Sequence, residues 1–240
     1  MKRISNEAVV NQFKSKQVID LKDITVFIQS QIPDISAATL SWYIHQLCKQ
    51  NIIKRIGRGR YTINSNQYFT PEISKKIENL YKKIKKDFPQ ITFCISDSNW
   101  LNSFSNLQQI NQQIIIEVEP EATEAVFLKL KQNEKNIFLN PSSEIVDLYI
   151  SANANSIIVK NLTSQSPLKT INNVNIPELE KILVDCLIDT NIYAAWSDEM
   201  ENIYHTTFTR FNVNISKMKR YAKRRNREKE VNEILCKISS

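Results

Sequence analysis

The sequence predicts an α+β protein: an N-terminal winged helix-turn-helix over residues 1–66, then a larger α/β domain over residues 67–240 with a helical C-terminal part. Three observations predict it. Residues 20–63 run in the order helix, turn, helix, strand, turn, strand. The only two glycines of the 240-residue chain, Gly57 and Gly59, both fall in the last of those turns. Beyond Pro89 the pattern changes to short β-branched runs alternating with helical stretches, the grammar of an α/β layer.

Residues 5–13 predict a short first helix, with Ser5 as cap and Val9, Val10 and Phe13 inward. A second helix starts at Leu21, capped by Asp20, and Pro33 ends it because proline lacks the amide and clashes with a continuing helix. Ser36 is placed as the cap of a third helix over residues 37–50. Leu40, Ile44, Leu47 and Cys48 fall on its buried face by helical spacing. Thr39, Ser41, Trp42, His45, Gln46 and Lys49 cover its other faces, a polar set of the kind that reads base edges and phosphates. Residues 52–63 then give two short strands around Gly57-Arg58-Gly59-Arg60, where glycine tolerates positive φ and lets backbone approach a partner. The DNA-binding expectation places Ser36, Thr39, Ser41, Trp42, His45 and Lys49 in the major groove and on its flanking phosphates. Arg58 and Arg60 enter or line the minor groove, and Arg55 meets phosphate. The alternative is a surface hairpin on a protein-binding winged helix.

A polar break at Asn64–Asn66 marks the expected domain boundary. Thr70-Pro71 predicts the start of a strong helix with Ile73, Ile77, Leu80, Tyr81, Ile84 and Phe88 on one face and a solvated lysine face opposite. Strands are expected over residues 91–95, 114–118, 137–139 and 156–160, with helices over 121–132 and 143–150 between them. Helices over residues 177–189, 194–211, 215–225 and 228–238 close the chain.

The charge is unevenly spread. Residues 1–66 carry 10 Lys and Arg against 4 Asp and Glu, residues 67–212 carry 13 against 18, and residues 213–240 carry 9 against 3. Attraction for polyanions is therefore localised to the two ends. The four cysteines are widely separated in apolar segments and predict reduced core thiols. The start of the chain lacks the apolar run of a signal peptide, and no stretch is apolar enough to span a membrane, so a cytoplasmic location is expected.

The two glycines, spaced as Gly57-Arg58-Gly59, fit none of GxxxxGK[ST], GxGxxG or GxSxG, so those nucleotide and hydrolase motifs are excluded. Two histidines, His45 and His205, cannot make a histidine-rich metal site. Asp97, Glu117 and Glu119 lie near strand ends in an order loosely like a metal-dependent nuclease core, but Glu119 stands where such a core has its lysine. Lys181 and Asp185 read as a plain i,i+4 pair worth ~0.3–0.5 kcal/mol. The basic run of residues 217–227 would attract nucleic acid, a nucleotide phosphate or an acidic protein face, unless it is simply a solvated helix.

Residues 39–47 (TLSWYIHQL) and 53–61 (IKRIGRGRY), with Ser166-Pro167-Leu168, residues 179–185 (LEKILVD) and 220–225 (RYAKRR), resemble the AbiEi-type antitoxins of type IV toxin–antitoxin systems. The resemblance implies a repressor that binds inverted repeats of double-stranded DNA in its own promoter. It also implies a C-terminal domain that counteracts a nucleotidyltransferase toxin; the charge split, which leaves the basic C-terminal helix free to meet another partner, makes Lys223, Arg224 and Arg225 the residues expected for that role. The expectation is thus a non-enzymatic transcription regulator and antitoxin, without cofactor or metal. The rival is a metal-dependent nuclease targeted by its winged helix.

Overall fold

The computed structural model describes residues 4–16, 18–50, 52–63, 68–151, 153 and 155–239, and the expected boundary at Asn64–Asn66 lies outside them. The chain is mixed α+β with several small sheets. It forms two compact units, one of Met1–Tyr68 with Arg210–Asn214, the other of Phe69–Thr209 with Ile215–Ser240.

The first unit is built from α1 (Asn6–Phe13), β1 (Ile19–Asp20), α2 (Leu21–Gln31), α3 (Ala37–Lys49), β2 (Ile53–Gly57) and β3 (Arg60–Ile63). Ser5 and Ser36 cap α1 and α3 as expected, their hydroxyls accepting from the Ala8 and Thr39 amides at 3.1 and 3.2 Å. Asp20 stands at the N-cap of α2 without a side-chain bond. The three strands pair antiparallel in the order β1-β3-β2. Val9, Phe13, Ile19, Ile24, Ile28, Tyr43, Ile44, Leu47, Ile53 and Tyr61 form one core.

The second unit begins with an extended segment rather than the helix expected at Thr70-Pro71. The Glu72 carbonyl accepts from the Trp100 indole at 3.2 Å, which commits it outside a helix. Ser74 caps the real helix, α4 (Lys75–Asp87). A four-stranded sheet follows from β4 (Phe93–Asp97), β5 (Gln113–Val118), β6 (Ile137–Leu139) and β7 (Ser156–Asn161), in the order β4-β5-β7-β6. β4 runs antiparallel to β5, while β5, β7 and β6 are parallel. The parallel connections are made by α5 (Thr123–Lys131) and by α6 (Ser143–Ile145), which continues as a π-helical turn at Val146–Ile150. A hairpin of β8 (Leu168–Ile171) and β9 (Val174–Pro177) was not expected from sequence. Its Asn172-Asn173 turn has both residues at positive φ, 49° and 63°, the conformation of a type I′ turn. Because β9 runs through Pro177, α7 (Leu179–Ile188) starts later than expected. A 3₁₀ segment at Ala194–Glu199, α8 (Met200–Arg210), α9 (Ile215–Arg224) and α10 (Glu228–Ser239) complete the chain.

The centre of this unit is an ionic cluster, which overturns the expectation of a plain Lys181–Asp185 surface pair. α7 is buried from Leu179 through Cys186, charged residues included. Lys181, with no exposed surface, donates to Asp185, to Glu117 on β5 at 2.8 Å and to the Tyr221 hydroxyl of α9 at 2.9 Å. Tyr221 in turn donates to Asp185 at 2.8 Å. Arg225 reaches Asp185 at 2.6 Å and Asp189 at 2.7 Å, and Lys160 of β7 reaches Asp189 at 2.6 Å. Three cations meet three carboxylates, so the burial cost of each is offset by a partner and a hydrogen bond. Burial would lower the Lys181 pKa, but Asp185 and Glu117 hold it well above its ordinary value.

Candidate nucleic-acid interface

α3 has two unlike faces because ~100° separates successive residues around a helix. Tyr43, Ile44 and Leu47 point into the core, and Leu40 and Cys48 flank them, half-buried. Tyr43 was absent from the expected core face. Opposite lie Ser41, Trp42, His45 and Lys49, all exposed and within about a third of the helix circumference. Trp42 is 52% exposed and rests edge-on against Tyr43, with ring centroids 5.3 Å apart. One apolar residue among three polar ones on an exposed face is available to a partner without being needed by the core.

Ser36 and Thr39 do not share that face. Ser36 accepts from the Thr39 amide, and the two hydroxyls lie 2.9 Å apart. Their polar groups are occupied in capping α3. The structure therefore separates the nine expected DNA-contact residues into two capping residues, four on the outward face of α3, and three arginines of the hairpin.

The hairpin turn depends on one of its two glycines. Gly59 has φ +69°, where a side chain is strained, and its carbonyl accepts from the Leu21 amide at 2.8 Å, tying the turn to the start of α2. Gly57 is not in that conformation, and a Cβ there would meet the Arg60 side chain at an ordinary 3.7 Å. Of the uses expected of glycine in this turn, positive φ applies to Gly59 and not to Gly57. Arg58 and Arg60 are exposed. Arg55, also exposed, donates from Nε to the Gly57 carbonyl at 3.2 Å and so braces the turn.

A cavity of about 690 Å³ opens between α1 and α3, lined by residues that include Val9, Trp42, Gln46 and Gln50. The Asn6 amide donates to the Gln50 carbonyl oxygen across its rim at 3.1 Å.

The nuclease-like carboxylate set does not assemble. Asp97 pairs with Ile114 and Glu117 with Cys94, so they are three residues apart along the strand pair, ~10 Å, and an odd number of residues puts them on opposite faces. Glu117 is taken by Lys181, and Glu119 accepts from the Thr92 amide at 3.0 Å. Burial raises the Asp97 pKa, against the pull of the Asn99 amide and Gln112 that bond it.

The C-terminal triad also separates. Lys223 is exposed, and Arg224 is exposed with its guanidinium on the Gln165 carbonyl oxygen at 2.6 Å. Arg225 is turned inward onto Asp185 and Asp189. Its role in the cluster was invisible to local spacing, since its partners lie 36 and 40 residues away.

A helical unit carrying an exposed basic hairpin, followed by a unit built on a mixed four-stranded sheet, defines the class of protein. Within it, the model described as "Family of unknown function (DUF6577)" matches residues 39–240, and the chain belongs to that family. Comparison with curated proteins gives no match.

Proposed function

We propose that the first unit is a DNA-binding winged helix and that the protein is a sequence-specific transcription regulator. In this reading α3 is the recognition helix, presenting Ser41, Trp42, His45 and Lys49 to the major groove. The β2–β3 hairpin is the wing, with Arg58 and Arg60 against the adjacent minor groove and its phosphates. The observation that carries the proposal is that one unit holds both that exposed polar face of α3, opposite its core face, and an exposed arginine turn. The basic excess of residues 1–66 supports it, as does the resemblance to AbiEi-type antitoxins. Ser36 and Thr39 support the helix rather than contact DNA. Counteraction of a toxin rests on the resemblance alone and is outside the proposal.

The test is binding to a duplex from the protein's own upstream region, with a random duplex as comparison, titrated with salt. Arg58→Ala with Arg60→Ala should weaken binding and flatten the slope of log affinity on log salt by about 0.9 for each phosphate no longer neutralised. Equal affinity for both duplexes at physiological salt would refute sequence-specific regulation.

A further inference from the structure

The outward face of α9 carries a stripe of charge that the proposed function does not use. Met218, Tyr221 and Ala222 form the buried face of α9. At ~100° per residue, Arg220 and Lys223 sit on the opposite side, with Lys219 and Arg224 at its margins. Residues 215–227 contain seven cations and no acid. Three of them are neutralised: Lys217 by Glu178, Arg225 by Asp185 and Asp189, and Arg227 by Glu230. Arg224 bonds to the neutral Gln165. Among the described residues Lys219, Arg220 and Lys223 have no acidic partner.

The neighbouring helix shows what a merely solvated face looks like in this chain. α10 interleaves its charges, with Lys229 3.9 Å from Glu233 on the same helix, and its Lys237 is 2.5 Å from Glu201 of α8. α9 keeps one sign instead, at the cost of self-repulsion along the stripe. Its outward centre bears no aromatic ring on which unpaired bases could stack, so a single strand is a poor match. Cations in a row, with no aromatic ring to stack on and no amide side chain among them, match the sugar–phosphate backbone of a duplex.

We infer that the outward face of α9 is a second backbone-contact surface, on which Lys219, Arg220, Lys223 and Arg224 engage duplex phosphates. The inference rests on the proposed DNA-binding reading and extends it to the second unit. Specificity belongs to α3; α9 adds affinity without sequence preference.

The experiment uses the full chain and three variants, each titrated with salt on the upstream and random duplexes. The first is Lys219→Ala, Arg220→Ala, Lys223→Ala; the second is Lys219→Arg, Arg220→Lys, Lys223→Arg; the third is Arg58→Ala, Arg60→Ala. Alanine is favourable in a helix, so the first should keep its circular dichroism and unfolding midpoint. It should lose about two to three units of salt slope and bind both duplexes about tenfold or more weakly, with their affinity ratio unchanged. The charge-conserving variant should retain the slope. An unaltered slope in the alanine variant, while Arg58→Ala with Arg60→Ala loses binding, overturns the inference and leaves the proposed function standing. It would point to an acidic protein face as the partner of the stripe. The reverse pattern keeps α9 as a nucleic-acid surface and overturns the assignment of α3 and the hairpin. Equal loss in the charge-conserving variant shows a structural role and also overturns the inference, as does failure of the full chain to bind either duplex.

Discussion

Lys181 illustrates how a residue's surroundings reverse the meaning of its sequence. An exposed i,i+4 pair contributes a few tenths of a kcal/mol, whereas a buried cation that neutralises Glu117 and Asp185 cannot be removed alone. Lys181→Met is expected to destabilise the second unit by about 3–5 kcal/mol, because two carboxylates lose their shared cation. Tyr221→Phe removes only the hydroxyl between Lys181 and Asp185 and should cost about 1–3 kcal/mol. Urea unfolding of the two variants checks both magnitudes and their order. The left-handed positions show a second residue-scale economy. With two glycines in the chain, asparagine occupies positive φ at Asn140, Asn155, Asn172, Asn173 and Asn226. Asparagine tolerates that region better than other side chains do.

Among elements, the hairpin of the first unit rests on Gly59 and on the bond from the Leu21 amide to its carbonyl. Gly59→Ala forces a side chain into positive φ and should cost about 1–2 kcal/mol and, on the proposed DNA-binding reading, weaken duplex binding. Gly57→Ala should be close to neutral in stability, since its added Cβ meets the Arg60 side chain only at ordinary van der Waals distance. Thermal unfolding of the two variants side by side separates a turn that needs one glycine from one that needs both. The same principle governs the β8–β9 turn. Asn173→Ala should lose about 1 kcal/mol there, while Asn173→Gly should change stability little. The Asn-Asn pair between β-branched runs was a legible hairpin signal. It competed with a loop assignment because polar residues are abundant throughout the chain.

Across the whole molecule, Asp189 links Lys160 on β7 to Arg225 just beyond α9. Burial would raise its pKa, but the Arg225 hydrogen bonds and the Lys160 charge outweigh it and lower the value to about 2. A carboxyl depressed on folding stabilises the native state above its unfolded pKa, near 4, and loses that contribution as pH falls through about 2. The contribution is about 2 kcal/mol at neutral pH. Asp189→Asn should lower stability at pH 7 and flatten the pH dependence between about pH 4 and 2, measured by urea unfolding across that range. An unchanged acid profile would show that other carboxylates govern acid unfolding.

Local rules were enough where the determinant lay within one helix or turn. Ser5 and Ser36 name their helices' starts because a hydroxyl three residues before an amide is a local geometry. The β-branched run of residues 114–118 was legible as a central strand, and periodicity recovered most of the α3 core face. Thus the α+β class and the helix–turn–helix–hairpin order were determined by sequence alone, while the wider polar set of α3 was narrowed by the structure to Ser41, Trp42, His45 and Lys49. Tertiary structure decided which charges are surface and which are core. Glu117, Lys181, Asp185, Asp189 and Arg225 come from β5, from α7 and its end, and from just beyond α9, and no spacing rule joins residues 36 to 64 positions apart. Strand register likewise parts Asp97 from Glu117, whose apparent grouping in sequence it undoes. Charge is a local property of the chain, but its burial and pairing are set by what the fold packs against it.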